Sequence, residues 1–347
     1  MSFNFGEKIK ISIFGQSHSE EIGVTIEGLP QGFKIDEEKL SSFMLRRAPG
    51  RDEFSTSRKE PDKVEITSYE PLRAVIKNTN KRSGDYDNLK GIPRPGHADF
   101  AAYAKFGKDY NMAGGGEFSG RLTAPLCIAG GICKQLLEEK GIHIGAHIAS
   151  IGNIEDDRFN PVTVSENDFV DEKEFPVIND SRGEEMKKEI LAAKEVGDSI
   201  GGSIECAVTG IPAGVGNTFF GSWESAISSA VFAIPAVKGI EFGAGFEAAK
   251  MRGSENNDAF IIRDGQIVTQ TNNHGGILGG IASGMPIIFR VAIKPTPSIS
   301  REQKSVSLFE MKETTINIKG RHDPCIVKRA VACVEAAAAI VVANAVL

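Results

Sequence analysis

"IGVTIEGLPQG" (residues 22–32) and "IGGSIECAVTGIPAG" (residues 200–214) decide how this chain is read. Both run Ile-Gly-x-x-Ile-Glu and then, after slightly different spacers, Gly-x-Pro-x-Gly. The β-branched residues of each mark a strand, and the Gly and Pro that follow mark a turn. Two such units in one chain point to a duplicated core; two strands that share turn chemistry are the alternative, because the match is short. Around them, residues 10–14, 203–208 and 287–293 also read as strands. Residues 36–47 read as a helix with Asp36 as N-cap that ends before Pro49-Gly50, and residues 123–140 as an apolar helix stopped by Gly141. Ser181 and Glu184 have capping-box spacing for a helix that ends at Gly197, with Glu184 and Lys188 placed to pair. Residues 326–346 form a long, largely buried helix whose alanines permit close packing. The polar, acidic stretch 153–180 is expected to be a surface excursion, not a linker, so residues 1–347 are taken as one domain.

Composition narrows the function classes. The chain has 347 residues, 41% of them hydrophobic and 25% charged, enough to bury a sizeable core. No uninterrupted apolar run has the roughly 18 residues of a membrane span, and residues 1–8 lack the regions of a signal peptide, so no membrane partner and a cytoplasmic address are expected. The five cysteines are odd in number and form no C-x-x-C pair, which favours free thiols over disulfides or zinc. A formal charge of -6 argues against a nucleic-acid surface. An anionic ligand would need basic residues gathered locally against that sign.

Such residues occur in short loops spread along the chain. "FGQSHSE" sets Ser17 beside His18 after a strand. "RRAPGR" brings Arg46, Arg47 and Arg51 to a helix end, where a solvated basic terminus is the bland reading. "RPGHAD" places Arg94, His97 and Asp99 in a Pro-stiffened loop. "NMAGGGEFSGR" puts three glycines, Glu117, Phe118, Ser119 and Arg121 ahead of a helix, able to offer backbone N–H groups to a phosphate, although no Gly-Lys-Ser/Thr follows as in a P-loop. "TNNHGGILGG" and "KPTPSIS" add glycines and Lys294, and "GRHDP" sets Arg321, His322 and Asp323 side by side. Arginine forks scattered this way suit a ligand with more than one anionic group. No H-E-x-x-H, acidic ligand cluster or G-x-S-x-G elbow is present, so neither a metal nor a serine-hydrolase mechanism is favoured.

From Phe14 onward the chain closely resembles the chorismate synthase family, through "GQSHSEEIGVTIEGLPQG", "RRAPG" followed by "STSRKEPD", "RPGHADF", "GDSIGGSIE", "AVKGIEFGAGF", "TNNHGGILGG", "KPTPSIS" and "GRHDPC". The resemblance implies an α+β fold, a β-α-β sandwich with helices between antiparallel sheets and an internal pseudo-duplication. It also implies a homotetramer that uses reduced FMN to convert 5-enolpyruvylshikimate 3-phosphate to chorismate. That reaction is a 1,4-elimination of phosphate without net redox change. NADPH enters only if the chain reduces its own flavin. Carried over position by position, Ser17 is a serine relay, His18 and His97 are catalytic histidines, and Asp323 is the carboxylate at the proton-transfer step. Arg47, Arg94, Ser119, Arg121 and Arg321 fall on substrate positions. Glu117, Phe118, Ser119, Ala236, Gly279, Lys294, Pro295, Thr296, Pro297, Ser298 and Arg321 fall on flavin-binding segments, and no metal is implied. Held against such anions, His18 and His97 are expected to have raised pKa values.

The sequence departs from the family pattern in places. Gln16 and Ser19 replace the usual Glu and Gly. Glu117 stands where many members have Arg, and a Gly- and Thr-rich loop is missing near Tyr69. A flavin- or anion-binding relative with impaired turnover is therefore the alternative to an active enzyme. A flavin-dependent reductase gains nothing, since no strand-linked G-x-G-x-x-G occurs.

Overall fold

The structure, a computed structural model, describes residues 2–49, 54, 62–78, 91–108, 113–318 and 322–347. Five strands, β1 (Ser2–Phe5), β2 (Lys10–Phe14), β3 (Glu21–Glu27), β4 (Glu65–Tyr69) and β5 (Leu72–Lys77), form an antiparallel sheet in the order β1-β2-β3-β5-β4. Strands β6 (His143–Ile151), β7 (Ile154–Glu155), β8 (Gly202–Thr209) and β9 (Val237–Phe242) belong to a second. After the hairpins β10 (Phe260–Arg263) with β11 (Gln266–Thr269) and β12 (Ile277–Leu278) with β13 (Ile281–Ala282), strand β14 (Ile287–Ile293) completes it in the order β7-β6-β8-β14-β9. A last hairpin joins β15 (Gln303–Ser307) to β16 (Lys312–Ile316). The helices are α1 (Glu37–Arg47), α2 (Asp99–Phe106), α3 (Thr123–Glu138), α4 (Asp180–Glu195), α5 (Trp223–Phe232), α6 (Gly253–Asn256) and α7 (Val327–Val346).

The two echoed motifs become β3 and β8, each the middle strand of its sheet. The duplication extends well beyond them. Strands and helices run β2-β3-α1-β4-β5-α3 in the first half and β6-β8-α5-β9-β14-α7 in the second, and the paired orders β2-β3-β5-β4 and β6-β8-β14-β9 match strand for strand. The repeated unit is therefore a four-stranded antiparallel sheet with two helices. On β3 the alternating Ile22, Val24 and Ile26 are buried, the period-two pattern of a strand facing a core. On β8 every residue from Ile204 to Thr209 is buried, because both faces of that strand are covered.

Helix α3 packs on the first sheet and α7 on the second, and the two helices pack on each other, which gives the sandwich its helical centre. The close approach depends on small residues. A Cβ added at Gly130 of α3 would lie 2.2 Å from the Cα of Ala336 on α7. By length and composition α7 could cross a membrane, contrary to the expectation that no segment would, but it is a core helix buried between the sheets. Asn344 near its end accepts from the backbone N–H groups of Glu7, Lys8 and Ile9 at 2.8, 3.1 and 3.2 Å and donates to the Ile9 carbonyl at 3.0 Å. Glu335, fully buried on α7, accepts from Arg46 of α1 at 2.8 and 2.5 Å, from Lys134 of α3 at 2.7 Å and from the Ala146 N–H of β6 at 3.2 Å.

Asp36 caps α1, accepting from the N–H groups of Glu38 and Lys39. The capping box at Ser181 is not formed: Asn179, two residues earlier, caps α4, and Glu184 pairs with Lys187 at 2.6 Å. Spacing alone could not choose between Asn and Ser caps two residues apart. The missing loop near Tyr69 is a tight turn at Glu70-Pro71, and Tyr69 pairs with Leu72 to leave the first sheet whole.

The stretch 153–180 is more than a surface excursion. It lays Phe159 and Val164 against Ala207 and Ile288 in a small second core on the outer face of the second sheet. Beneath it His147 bonds Asp156 through Nδ1 and Glu205 through Nε2, both at 3.1 Å. Burial opposes charge on all three groups, yet the hydrogen bonds among them raise the His147 pKa and lower those of Asp156 and Glu205. The histidine's contribution to stability is full below its unfolded value near 6.5 and is lost as pH rises through the folded one. The carboxylates' contribution is full above their unfolded values near 4 and is lost as pH falls. The trio should therefore stabilise most at mildly acid pH. Urea unfolding should show the parent losing more stability than His147→Gln as pH is taken from about 5.5 to 8.5, and equal losses would contradict the assignment.

Candidate active site

A cavity of about 690 Å³ opens where the two halves meet. The first half supplies Arg47, Arg94, His97, Glu117, Phe118, Ser119 and Arg121; the second supplies residues 232–238, Lys294, Thr296, Pro297, Ser298, His322, Asp323, Arg329 and Cys333. Among the described residues the lining carries six basic side chains and two carboxylates. The local excess of positive charge that an anionic ligand requires is thus present in a chain of net charge -6.

The arginines are not a solvated helix end. Arg47, the last residue of α1, is buried and donates to the Thr123 hydroxyl at 3.1 Å, the Gly120 carbonyl at 3.1 Å and Asp62 at 2.5 Å. Arg121 takes the other oxygen of Asp62 and donates through Nε to Asn78 at 3.1 Å. Burial works against the Asp62 charge, but the two guanidiniums hold its pKa below the usual value. The carboxylate thereby fixes both arginines at the cavity wall. Ser119 caps the short turn at Arg121, its hydroxyl accepting from the Arg121 N–H.

The loop "RPGHAD" is wired to itself. Arg94 donates from its backbone N–H and Nε to one oxygen of Asp99 at 2.9 and 2.7 Å, from Nη2 to the other at 2.8 Å, and from Nη1 to Ser298 at 3.2 Å. His97 Nδ1 lies 2.7 Å from Asp99, which as a carboxylate can only accept, and 3.1 Å from Arg94 Nη2, which can only donate; the shorter contact favours the proton on this nitrogen. Nε2 is left toward Gly115, where an added Cβ would sit 3.4 Å away. Asp99 opens α2, where the helix dipole favours an anion. Burial opposes its charge, and the bonds from Arg94 and His97 depress its pKa strongly.

The opposite wall is built around Lys294. Its backbone N–H bonds the carbonyl of Ala236, held at φ 76, and its Nζ donates to the Gly96 carbonyl at 2.9 Å. Burial and the neighbouring Lys238 lower the Lys294 pKa. The Thr296 hydroxyl is buried with no hydrogen-bond partner among the described residues. Two lysines at close quarters and an orphaned hydroxyl fit a phosphate group. At the end of the cavity Asp323 accepts from Arg329 at 2.6 Å, and Arg329 Nε donates to the Arg47 carbonyl at 3.0 Å.

A family model described as chorismate synthase matches residues 9–347. The chorismate synthase of Lancefieldella parvula is 46% identical, with 98% of this chain and 95% of that protein covered, and that of Pyrococcus abyssi is 44% identical over 98% and 96%. A solved structure titled as a crystal structure of chorismate synthase superposes with a TM-score of 0.75 at 26% identity, over 98% of this chain and 92% of that one. The chain belongs to the chorismate synthase family.

The family's reaction is the 1,4-elimination of phosphate from 5-enolpyruvylshikimate 3-phosphate, a lyase activity that needs reduced flavin. Relatives this similar over nearly the full chain support the active enzyme and give the impaired-turnover alternative no footing. Most residues expected to serve the site line the cavity, but three groups stand elsewhere. Ser17 and His18, 3.1 Å apart, lie behind it, where the Ser17 N–H meets the Gly116 carbonyl. Gly279 sits in the β12–β13 hairpin, away from the lining, where its neighbour Gly280 packs against Ser222 and Asn217. Pro295 does not line the cavity although both its neighbours do. Arg321 and Arg51 fall outside the described residues. Asp62, Lys238, Arg329 and Cys333 escaped the sequence reading. Asp62 ends "STSRKEPD" and Lys238 sits in "AVKGIEFGAGF", so both were within quoted motifs, while Arg329 and Cys333 lay in a helix read only as core.

Proposed function

We propose that this cavity binds 5-enolpyruvylshikimate 3-phosphate together with FMN. The observation that carries the reading is the convergence of six basic side chains from both halves on one cavity. Arg47 and Arg121, braced by Asp62, hold anionic groups of the substrate, with Arg94, Ser119 and Arg321 completing that set. Lys294, Thr296 and Ser298 hold the flavin, with Lys238 beside them and with Glu117, Phe118, Ala236 and Pro297 along the same walls. Pro295 and Gly279 serve the flavin by shaping its segments. The reduced flavin supplies transient electron density to the allylic system as phosphate leaves.

The chain's own groups handle the protons and the leaving group. His97, oriented by Asp99, faces the departing phosphate as an acid or hydrogen-bond donor. Asp323, held by Arg329, acts where the ring hydrogen leaves as a proton. Ser17 and His18 form a relay behind Gly116. The two halves act as one domain, and the assembly is a homotetramer working in the cytoplasm. Exposed aromatic and aliphatic side chains at Phe219, Phe220, Phe246, Phe260 and Ile262 supply apolar surface for contacts between copies.

The test is anaerobic turnover with catalytic reduced FMN. Phosphate and chorismate should appear in equal amounts over many turnovers per flavin, and oxidation of one flavin per product would overturn the mechanism. A parallel reaction given oxidised FMN and NADPH decides whether this chain reduces its own flavin.

A further inference from the structure

Helix α7 turns Arg329 and Cys333, one turn apart, toward the cavity, so a thiol lies in its floor. The Cys333 sulfur is 3.8 Å from that of Cys127 on α3. Arg47 of α1, Thr123 at the start of α3 and Arg329 of α7 itself also act on it, with Asp62 behind Arg47. The hydrogen bond from Cys127, helped by Arg47, Thr123 and Arg329 and opposed by burial, brings the Cys333 thiol down to about 7. Burial pushes the other cysteines the opposite way: Cys133 and Cys325 to about 12, and Cys127 and Cys206 well above the usual value.

We propose that Cys333 is an oxidative modification site reached through the substrate cavity, with Cys127 as its resolving partner. Reactive cysteines need thiolate character, access and a second thiol, and Cys333 has a guanidinium on either side, the cavity above it and Cys127 beneath. With hydrogen peroxide as oxidant, the Cys333 thiolate attacks one peroxide oxygen, breaking the O–O bond and releasing hydroxide, and becomes a sulfenic acid. Cys127 then attacks the Cys333 sulfur. The S–O bond breaks, a disulfide forms, and the Cys127 proton leaves with the expelled oxygen as water. In sum, two thiols and one peroxide give one disulfide and two waters. The sulfurs must close from 3.8 Å to about 2 Å.

The experiment uses the unmodified full chain. Iodoacetamide at neutral pH should label Cys333 about tenfold or more faster than any other cysteine, because it lines the cavity and lies between the guanidiniums of Arg47 and Arg329. Stoichiometric hydrogen peroxide followed by non-reducing peptide mapping should give a cross-link between the Cys127 and Cys333 peptides that dithiothreitol removes. In Cys127→Ala, the same peroxide treatment should leave a Cys333 sulfenic acid that dimedone captures. Labelling of another cysteine ahead of Cys333, or no 127–333 cross-link in the parent chain, would overturn the proposal.

Discussion

Replacing Asp323 with Asn should slow turnover by roughly 10²–10⁴-fold while leaving substrate binding near its parent value, the range found when a general acid or base is removed. The substitution keeps the shape and one acceptor oxygen, so Arg329, which donates to Asp323 at 2.6 Å, retains a partner and the cavity wall stays in place. What disappears is a carboxylate able to assist the departure of the ring hydrogen. Binding falls instead to the arginines, whose guanidiniums the substitution does not touch. The neighbouring His322→Gln should change turnover little if that imidazole only packs at the cavity edge. Steady-state kinetics on both variants decides the matter. Parent-like turnover in Asp323→Asn, or a larger defect in His322→Gln, would mean the roles are divided otherwise.

Glu335→Ala should destabilise the fold by about 3–5 kcal/mol, the cost of leaving a buried ion pair without one partner. Glu335 is fully buried, and its removal leaves Arg46 and Lys134 facing each other where α1, α3 and α7 meet, with the part-exposed Asp171 beside them. The exposed pair Lys250 with Glu247 is the control, since surface pairs contribute at most about 1 kcal/mol. Replacing the ionic group as a whole, with Arg46, Lys134 and Glu335 all changed to apolar residues of similar size, should recover most of the loss. Denaturant unfolding reads all three. A cost for Glu335→Ala no greater than the surface control would show that the network is not what holds α1, α3 and α7 in register.

These two sites also show where sequence reading succeeds and where it stops. The strands β2 and β14, the Asp36 cap and the long C-terminal helix were legible because their signals are local: alternation, a capping side chain, a run of alanines. The polar loop at Arg94, His97 and Asp99 was legible for the same reason, as these three bond one another within five residues, while the Arg94 bond to Ser298 was not. Arg46 and Glu335 are 289 residues apart, so nothing near either one announces a buried pair, and Arg46 read as a solvated helix end. Asp62 is a similar case: its meaning rests on Arg47 and Arg121, which reach it from two different elements. The duplication was visible only as a short echo in β3 and β8, because the strands and helices that repeat around them kept their order while their side chains diverged.

The position of α7 bears on how the molecule is made. A chain emerges from the ribosome N-terminal part first, yet every other element of both sheets precedes the helix that fills the space between them. Until α7 arrives, the inward faces of β6 and β8 and the far wall of the cavity have no cover, and the Asn344 clasp on residues 7–9 cannot close. The nascent protein therefore carries two nearly finished layers with an open slot, the kind of surface that holding chaperones bind. Composition suits the latecomer to that slot. Alanine gives up no rotamer freedom on burial, so a helix rich in it can slide in late with little side-chain ordering left to do.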